Sequence, residues 1–539
     1  MKNLSSKPQP SLDDKEYHLP PQGIDSIVRA KLLKKFQDYI DTQKKHFLGY
    51  QANQDIEYKT ETSDFLNYHV NNIGDPFTAG NFTINSKILE RAVLDYYATL
   101  WSAKPRKETD PQDPESYWGY ILSMGSSEGN IYGLWNARDY LAGRQLQVDP
   151  NPENLGRTNY LEPKTDTANG KTNSYTPIAF YSEDAHYSIV KFMRVLGIAT
   201  FNEIGEKYYK GQNPLDADGD WSKNKEVPSK QGAIGSGSVD VEKLATLVEF
   251  FASKGYPILV ICNYGSTFKG AYDDVKAVQD TLMPIFTKYH LVNRKVTYED
   301  DKGNQHVDIR NGYWIHVDGA LGATYMPFVE KAYDQKKIEQ RGPDFDFRLP
   351  GVNSIVTSGH KWPGAPWPCG IFMTKHKYQL FPPDDPAYIG SPDTTFSGSR
   401  NGFSGIILWE FLAKTSYDEQ IKKVLKCEEI TKYAEEQLKK LGKEHHPGLD
   451  LYIARTPLAL TVRFRKPNKD IVFKYSLSCE SLLVDGEQRN YAHVYAMTLV
   501  TKERVDEFIK QLQAKDAFTD DSEEQVNALP KFAHSSGWK

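Results

Sequence analysis

Between residues 115 and 375 the chain alternates short apolar runs with helix-like stretches, and this alternation limits the possible folds more than any other feature. The runs lie at 120–123, 178–181, 257–263, 313–318, 354–357 and 369–374. They are too short for buried helices and uninterrupted in their hydrophobicity, so they read as strands buried on both faces. Strands of that kind separated by helices build a doubly wound α/β domain, in which ligands bind outside the carboxyl ends of the strands.

Polar groups stand at those ends. The 354–357 run leads into Ser358, Gly359, His360, Lys361 and Trp362, followed by a Gly/Pro-rich loop. Lysine is mostly a solvated residue. At the mouth of a buried strand, desolvation lowers its pKa and frees its amine to form a Schiff base with an aldehyde. The 313–318 run ends in a single carboxylate, Asp318. The 120–123 run turns through Gly125 into a helix whose first turn holds Ser126, Ser127 and Glu128. Free backbone N–H groups, two hydroxyls and the positive end of a helix dipole make an anion cradle there. It is not a nucleotide P-loop, because the Gly-Lys-Ser/Thr is absent. His186 follows the 178–181 run, where it can cap a helix, fill a core or lie flat against a planar ligand. The 257–263 run empties into a loop with Ser266 and Thr267 ahead of Asp273. A strand-end lysine together with a strand-end aspartate is what pyridoxal phosphate asks of a protein.

Composition narrows the alternatives. At 539 residues the chain can hold about two or three domains. A net charge of -5 leaves no basic footprint for nucleic acid. Cys262, Cys369, Cys427 and Cys479 lack CxxC spacing, which argues against a zinc site or a disulfide framework. No stretch reaches the roughly 18 apolar residues of a membrane span and no apolar leader opens the chain, so the reducing cytoplasm is the expected address.

The flanks read as follows. A polar arm (1–22) and an amphipathic helix (24–47) precede a loop over 71–85 punctuated by Gly74, Pro76 and Gly80. A helix then starts at Asn85 or Ser86, with Leu89, Ala92, Val93, Tyr96, Tyr97 and Leu100 on one apolar face. Polar insertions are expected at 144–174, 201–239 and 292–311, the second with a flexible GSGS run at 235–238. One long helix is expected from Ile406 to about Leu441. Strands near 458–464 and 493–500 and a Thr501-capped helix over 502–513 should follow. The expected divisions are an N-terminal arm and helix (1–85), a cofactor-binding α/β domain (86–405), a C-terminal α+β domain (406–515) and a mobile acidic tail (516–539).

GDPFTAGNF, GSSEGNIYG, YSEDAHYSIVK, HVDGALG, TSGHKWPGAPWPCG and TTFSGSRNG occur in this order. They resemble the group II pyridoxal-phosphate-dependent amino acid decarboxylases, in the branch with bacterial histidine and plant serine decarboxylases. The resemblance covers about 65–515. It implies the type I aminotransferase-like fold, with a large mixed-sheet domain that binds pyridoxal 5'-phosphate and a smaller C-terminal α+β domain. It implies that Lys361 carries the cofactor, with Ser358 and His360 beside it at the phosphate. Asp318 pairs with the ring nitrogen, while Ala320 and His186 cover the two ring faces. Ser126 and Ser127 cradle the phosphate, and Ser266 or Thr267 lies near the phenolic oxygen or the substrate carboxylate. Ser397, Ser399 and Arg400 resemble the loop that reaches the partner subunit's site, which implies a homodimer with shared active sites. Tyr388 or Lys361 itself reprotonates Cα, and Phe82 and Phe403 belong to the substrate pocket. No metal is expected.

The histidine and serine enzymes carry a histidine where Phe403 stands. Here and in length the chain looks more like the bacterial valine and methionine decarboxylases. The expected substrate is therefore an apolar L-amino acid of the methionine, leucine or valine type, with histidine or an aromatic amino acid as the alternative. Two rivals keep the same fold: an aldehyde synthase and a non-catalytic binding protein. A hydrolase built on Ser358 and His360 lacks the GxSxG elbow that holds such a serine.

Overall fold

The structure is a computed structural model that describes residues 12–107, 109–144, 146, 173–230, 237–299, 303–380, 386–484 and 487–519. Most of the 144–174 insertion, the first half of the GSGS run, the start of the N-terminal arm and the acidic tail from 520 lie outside the described residues.

Among the described residues, three α-helices precede the sheet: α1 (Ser26–His46), α2 (Lys59–Thr62) and α3 (Lys87–Leu100). α1 forms where expected yet buries none of its side chains; Ile27, Val28, Leu33, Phe36 and Ile40 are exposed. The arm's Tyr17 folds back on it, with its ring against Phe36. The buried face of α3 is turned relative to expectation: Ala92 is exposed while Leu94 and Ala98 are buried. A helix covered from more than one side buries more than a single stripe, and α3 is covered by both the sheet and a later helix.

The α/β region runs β1 (Tyr117–Leu122), α4 (Ser126–Leu141), β2 (Ile178–Tyr181), α5 (Tyr187–Leu196), β3 (Ala199–Thr200), α6 (Phe201–Tyr208), α7 (Val241–Ala252), β4 (Ile258–Asn263) and α8 (Val275–Lys288). It continues with β5 (Arg294–Glu299), β6 (Gln305–Arg310), β7 (Tyr313–Asp318), α9 (Gly322–Asp334), β8 (Val352–Ser358) and β9 (Gly370–Lys375). Two of the expected insertions contain regular structure among their described residues. The 201–239 stretch opens with α6, capped reciprocally by Thr200 and Glu203, and the described part of the 292–311 stretch holds the antiparallel pair β5 and β6.

One seven-stranded sheet has the order β1-β9-β8-β7-β4-β2-β3. From β8 to β3 all neighbours are parallel; β9 runs antiparallel to both β8 and β1, which makes the sheet mixed. A loop without a helix joins β8 to β9, and such a connection returns a strand antiparallel. The register sets Asn263 beside Asp318 and Asp318 beside Val356. Gly370 pairs with both Ser358 and Leu122. The ends of β1, β4, β7 and β8 therefore share one edge of the sheet.

Beyond it lie α10 (Gly402–Lys414), α11 (Tyr417–His445), β10 (Thr461–Arg465), α12 (Lys469–Lys474), β11 (Ser478–Val484), β12 (Glu487–Tyr495) and α13 (Lys502–Leu512). The single long helix expected over 406–441 is thus two helices. Ser416 caps α11 and forms a capping box with Glu419, which satisfies free N–H groups where the axis changes. The division expected at 405/406 falls inside α10, whose Ile407, Leu408 and Phe411 pack into the core under the large sheet. β10, β12 and β11 form a second sheet, with its own core of Leu438, Val462, Phe464 and Phe508 joined by Leu48 from the N-terminal segment. The strand expected over 493–500 ends at Tyr495, and β11 has no counterpart in the sequence reading.

Candidate active site

The shared strand edge opens into a cavity of about 270 Å³. Ten sequence-selected residues line it: Ser126, Ser127, His186, Ser266, Thr267, Asp318, Ala320, Ser358, His360 and Lys361. A larger hollow of about 350 Å³ between α9, α11 and the 455–458 segment contains none of these groups. Of its charged residues, Arg455 and Lys432 each pair with Glu428, and size does not mark the site here.

The floor is made by the entry to α4. Gly125 occupies the N-cap position with φ 71°, and a Cβ there would lie 2.6 Å from His360 Cε1, so only glycine fits both the turn and the neighbour. Ser126 Oγ is 2.6 Å from Ser358 Oγ, and Ser126 N donates to the same hydroxyl at 3.2 Å. Two hydroxyls and the opening N–H groups of a sixteen-residue helix thus converge on one corner, a set suited to a phosphate.

Lys361 follows β8. Burial pushes its ammonium down to about 8, with the Asp318 carboxylate pulling the other way. A nucleophilic amine is what that shift supplies. His360 is also held below its ordinary value, by burial and then by Lys361; its Nδ1 lies 3.2 Å from Cys369 O. His186 is the N-cap of α5, with Nδ1 2.7 Å from Ser188 Oγ. Burial lowers its pKa too, opposed by Asp318. Asp318 is buried at the end of β7 and accepts from Asn130 Nδ2 at 2.8 Å and from Ala320 N at 3.2 Å.

Six expected site residues lie elsewhere. Tyr388 is 83% exposed. Ser397 is half-buried, and Ser399 is exposed with Oγ accepting from Asn71 Nδ2. Phe82 stands edge-on to His69, and Phe403 edge-on to Trp367, the neighbour of the cavity-lining Pro368. Arg400 is buried, ion-paired with Glu90 and bonded to Gly74 O, while its Nε has no hydrogen-bond partner among the described residues.

Sequence reasoning missed Asn130, Asn263 and Tyr187, which also line the cavity. Asn130 was within reach, since it stands one helical turn after Ser126 and so on the same face. It also missed Gln51, whose Nε2 donates to Thr267 O at 2.9 Å and braces that wall from behind.

The residues present fit pyridoxal phosphate: an anion corner, a buried amine of lowered pKa, and a buried carboxylate one strand away. A family model described as the pyridoxal-dependent decarboxylase conserved domain matches residues 31–448. Among curated relatives, tomato (Solanum lycopersicum) histidine decarboxylase is 28% identical over 484 residues, covering 89% of this chain and 87% of that protein. Rice (Oryza sativa subsp. japonica) serine decarboxylase 2 is 27% identical over 508 residues, covering 94% and 81%. Among solved structures, L-methionine decarboxylase from Streptomyces sp. 590 superposes with a TM-score of 0.85 at 45% identity, covering 93% of this chain and 97% of that one. Glutamate decarboxylase of Lactobacillus brevis, 17% identical with a TM-score of 0.60 and covering 94% and 96%, shares the fold. This chain belongs to the pyridoxal-dependent decarboxylases, enzymes that use pyridoxal phosphate to remove the carboxyl group of an amino acid.

Proposed function

We propose that the substrate is an apolar L-amino acid of the methionine, leucine or valine type. The observation that carries this is the 45% identity to an L-methionine decarboxylase over 93% of the chain. An apolar Phe403, packed on Trp367, supports this reading if it borders the substrate side chain, because an unmet polar group there would cost about 1–3 kcal/mol.

Pyridoxal phosphate supplies the electron sink for the pair left on Cα when CO₂ departs. In this reading the chain does the rest. Lys361 attaches the cofactor; Ser126, Ser127, Ser358 and His360 hold its phosphate; Asp318 faces its ring nitrogen and keeps that nitrogen protonated. Ala320 and His186 confine the ring, and Ser266 and Thr267 meet the substrate carboxylate or the phenolic oxygen. Tyr388 donates the proton to Cα. The exposed Tyr388, with Ser397 and Ser399, serves the cavity of a second copy in a cytoplasmic homodimer.

A substrate panel read by amine production tests the first claim. Preference for histidine or an aromatic amino acid over methionine, leucine and valine would overturn it, and release of ammonia and peroxide would mark an aldehyde synthase. Mixing a Lys361→Ala chain with a Tyr388→Phe chain tests the shared site: mixed dimers should regain one intact site, and no recovery refutes the sharing.

A further inference from the structure

Trp314, His316 and Asp318 alternate along β7 and therefore share one face of the sheet. On that face their polar atoms form a directed line. Trp314 Nε1 donates to Ser354 Oγ at 3.0 Å; Ser354 Oγ lies 2.7 Å from His316 Nδ1. His316 Nε2 lies 2.9 Å from Asn130 Oδ1, and Asn130 Nδ2 donates to Asp318 Oδ2 at 2.8 Å. His316, Ser354 and Asn130 are all buried.

The direction follows from the donor inventory. The indole N–H can only donate, so Ser354 accepts from it. The Asp318 carboxylate can only accept, so Asn130 turns its N–H toward it and its oxygen toward His316 Nε2, which leaves Nδ1 to accept from the Ser354 hydroxyl. The imidazole then carries its hydrogen on Nε2 and gives it to the amide oxygen. Burial pushes His316 down to about 4, against the pull of Asp318, so the ring is neutral at ordinary pH and carries a single hydrogen. Room for the line is made in α4, where a Cβ on Gly133 would lie 2.9 Å from His316 Cε1.

We propose that Asn130 and His316 are positioning residues, whose hydrogen bonds turn the Asn130 amide so that it donates to Asp318 and holds that carboxylate in one orientation, as an acceptor toward the ring nitrogen. This rests on the reading of Asp318 given above. Outer partners that orient a metal ligand are worth about ten- to a hundredfold in activity, and the same scale applies to a carboxylate held this way.

The test uses loaded enzyme carrying Asn130→Leu, Asn130→Asp, His316→Phe or, as control, Asp318→Asn. Asn130→Leu and His316→Phe should lower kcat about ten- to a hundredfold with KM changed less than about twofold. Both should raise the dissociation constant of pyridoxal phosphate, read by absorbance titration. In Asn130→Asp the introduced carboxyl touches the Asp318 carboxylate. Two such groups share a proton, and once protonated the new group donates as the amide did. Its kcat should therefore fall at high pH and recover as pH drops, relative to the native enzyme assayed alongside. If Asn130→Leu and His316→Phe keep native kcat and cofactor affinity while Asp318→Asn does not, the positioning role is wrong and the Asp318 reading stands. If Asp318→Asn keeps native kcat, the Asp318 reading itself is wrong. Should Asn130→Leu fail to fold, the near-isosteric Asn130→Asp profile decides: native pH dependence overturns the proposal.

Discussion

Replacing Arg400 separates a structural cation from a ligand-binding one. Its side chain and that of Glu90 are 1% and 0% exposed. The guanidinium donates to both Glu90 oxygens and, through Nη2, to Gly74 O at 3.0 Å. Glu90 also accepts from Ile121 N and Asn72 Nδ2, each at 2.9 Å, so the pair joins α3, β1 and two loops. Arg400→Met leaves the Glu90 charge enclosed with only those two neutral donors. An uncompensated buried charge costs about 3–5 kcal/mol, and the lost bond to Gly74 adds about 1 kcal/mol. The total of about 4–6 kcal/mol is a factor of roughly 10³ to 10⁴ in the unfolding equilibrium. Chains of this size often unfold irreversibly, so the assay is the rate of unfolding in urea followed by tryptophan fluorescence, with cofactor affinity measured alongside. Adding Glu90→Leu removes the stranded charge and should restore about half of the loss. Unchanged unfolding, or weakened cofactor binding at native stability, would refute the reasoning and return the guanidinium to the ligand.

Four further outcomes are expected. Because the Lys361 ammonium titrates near 8, the rate at which ligand-free protein takes up pyridoxal phosphate should rise with pH through that value and level off above it, as the neutral amine becomes the major form; stopped-flow absorbance reads this, and a flat profile counts against it. The same lowered pKa means that between about 8 and 10.5 the unfolded chain holds a proton the folded one has lost, so ligand-free stability should rise with pH across that window. Tyr388→Phe should divert turnover to aldehyde with consumption of oxygen, measured by an oxygen electrode; an unchanged amine yield removes Tyr388 as the acid. Gly133→Ala, which in an open helix would gain about 1 kcal/mol, should instead cost about 1–3 kcal/mol, because the new methyl meets His316 and Phe372 at 2.9 and 3.0 Å; a gain in urea midpoint would show that the ring can move.

The apolar runs are legible because a strand buried on both faces cannot interrupt its hydrophobicity, and Ser126, His186, Ser266, Asp318 and Lys361 are legible because each stands where such a run stops. These are local facts, and they suffice for the α/β class and for the reactive groups. Pairing is not local. The placement of β9 between β8 and β1, the meeting of His316 with Ser354 across the sheet and the approach of α4 to both depend on residues far apart in the chain. β11 escapes notice because an edge strand left mostly exposed needs no apolar pattern. The bend between α10 and α11 escapes although Ser416 and Glu419 spell out a cap, because apolar residues continue on both sides of it. Arg400 shows the boundary most plainly: its motif brings it beside Ser397 and Ser399, and only the packing of α3 against β1 decides that it meets a buried carboxylate. The sequence by itself determined which chemistry this protein carries; the tertiary structure decided which side chains face the cavity and which face one another, because orientation is set by contacts that no short stretch contains.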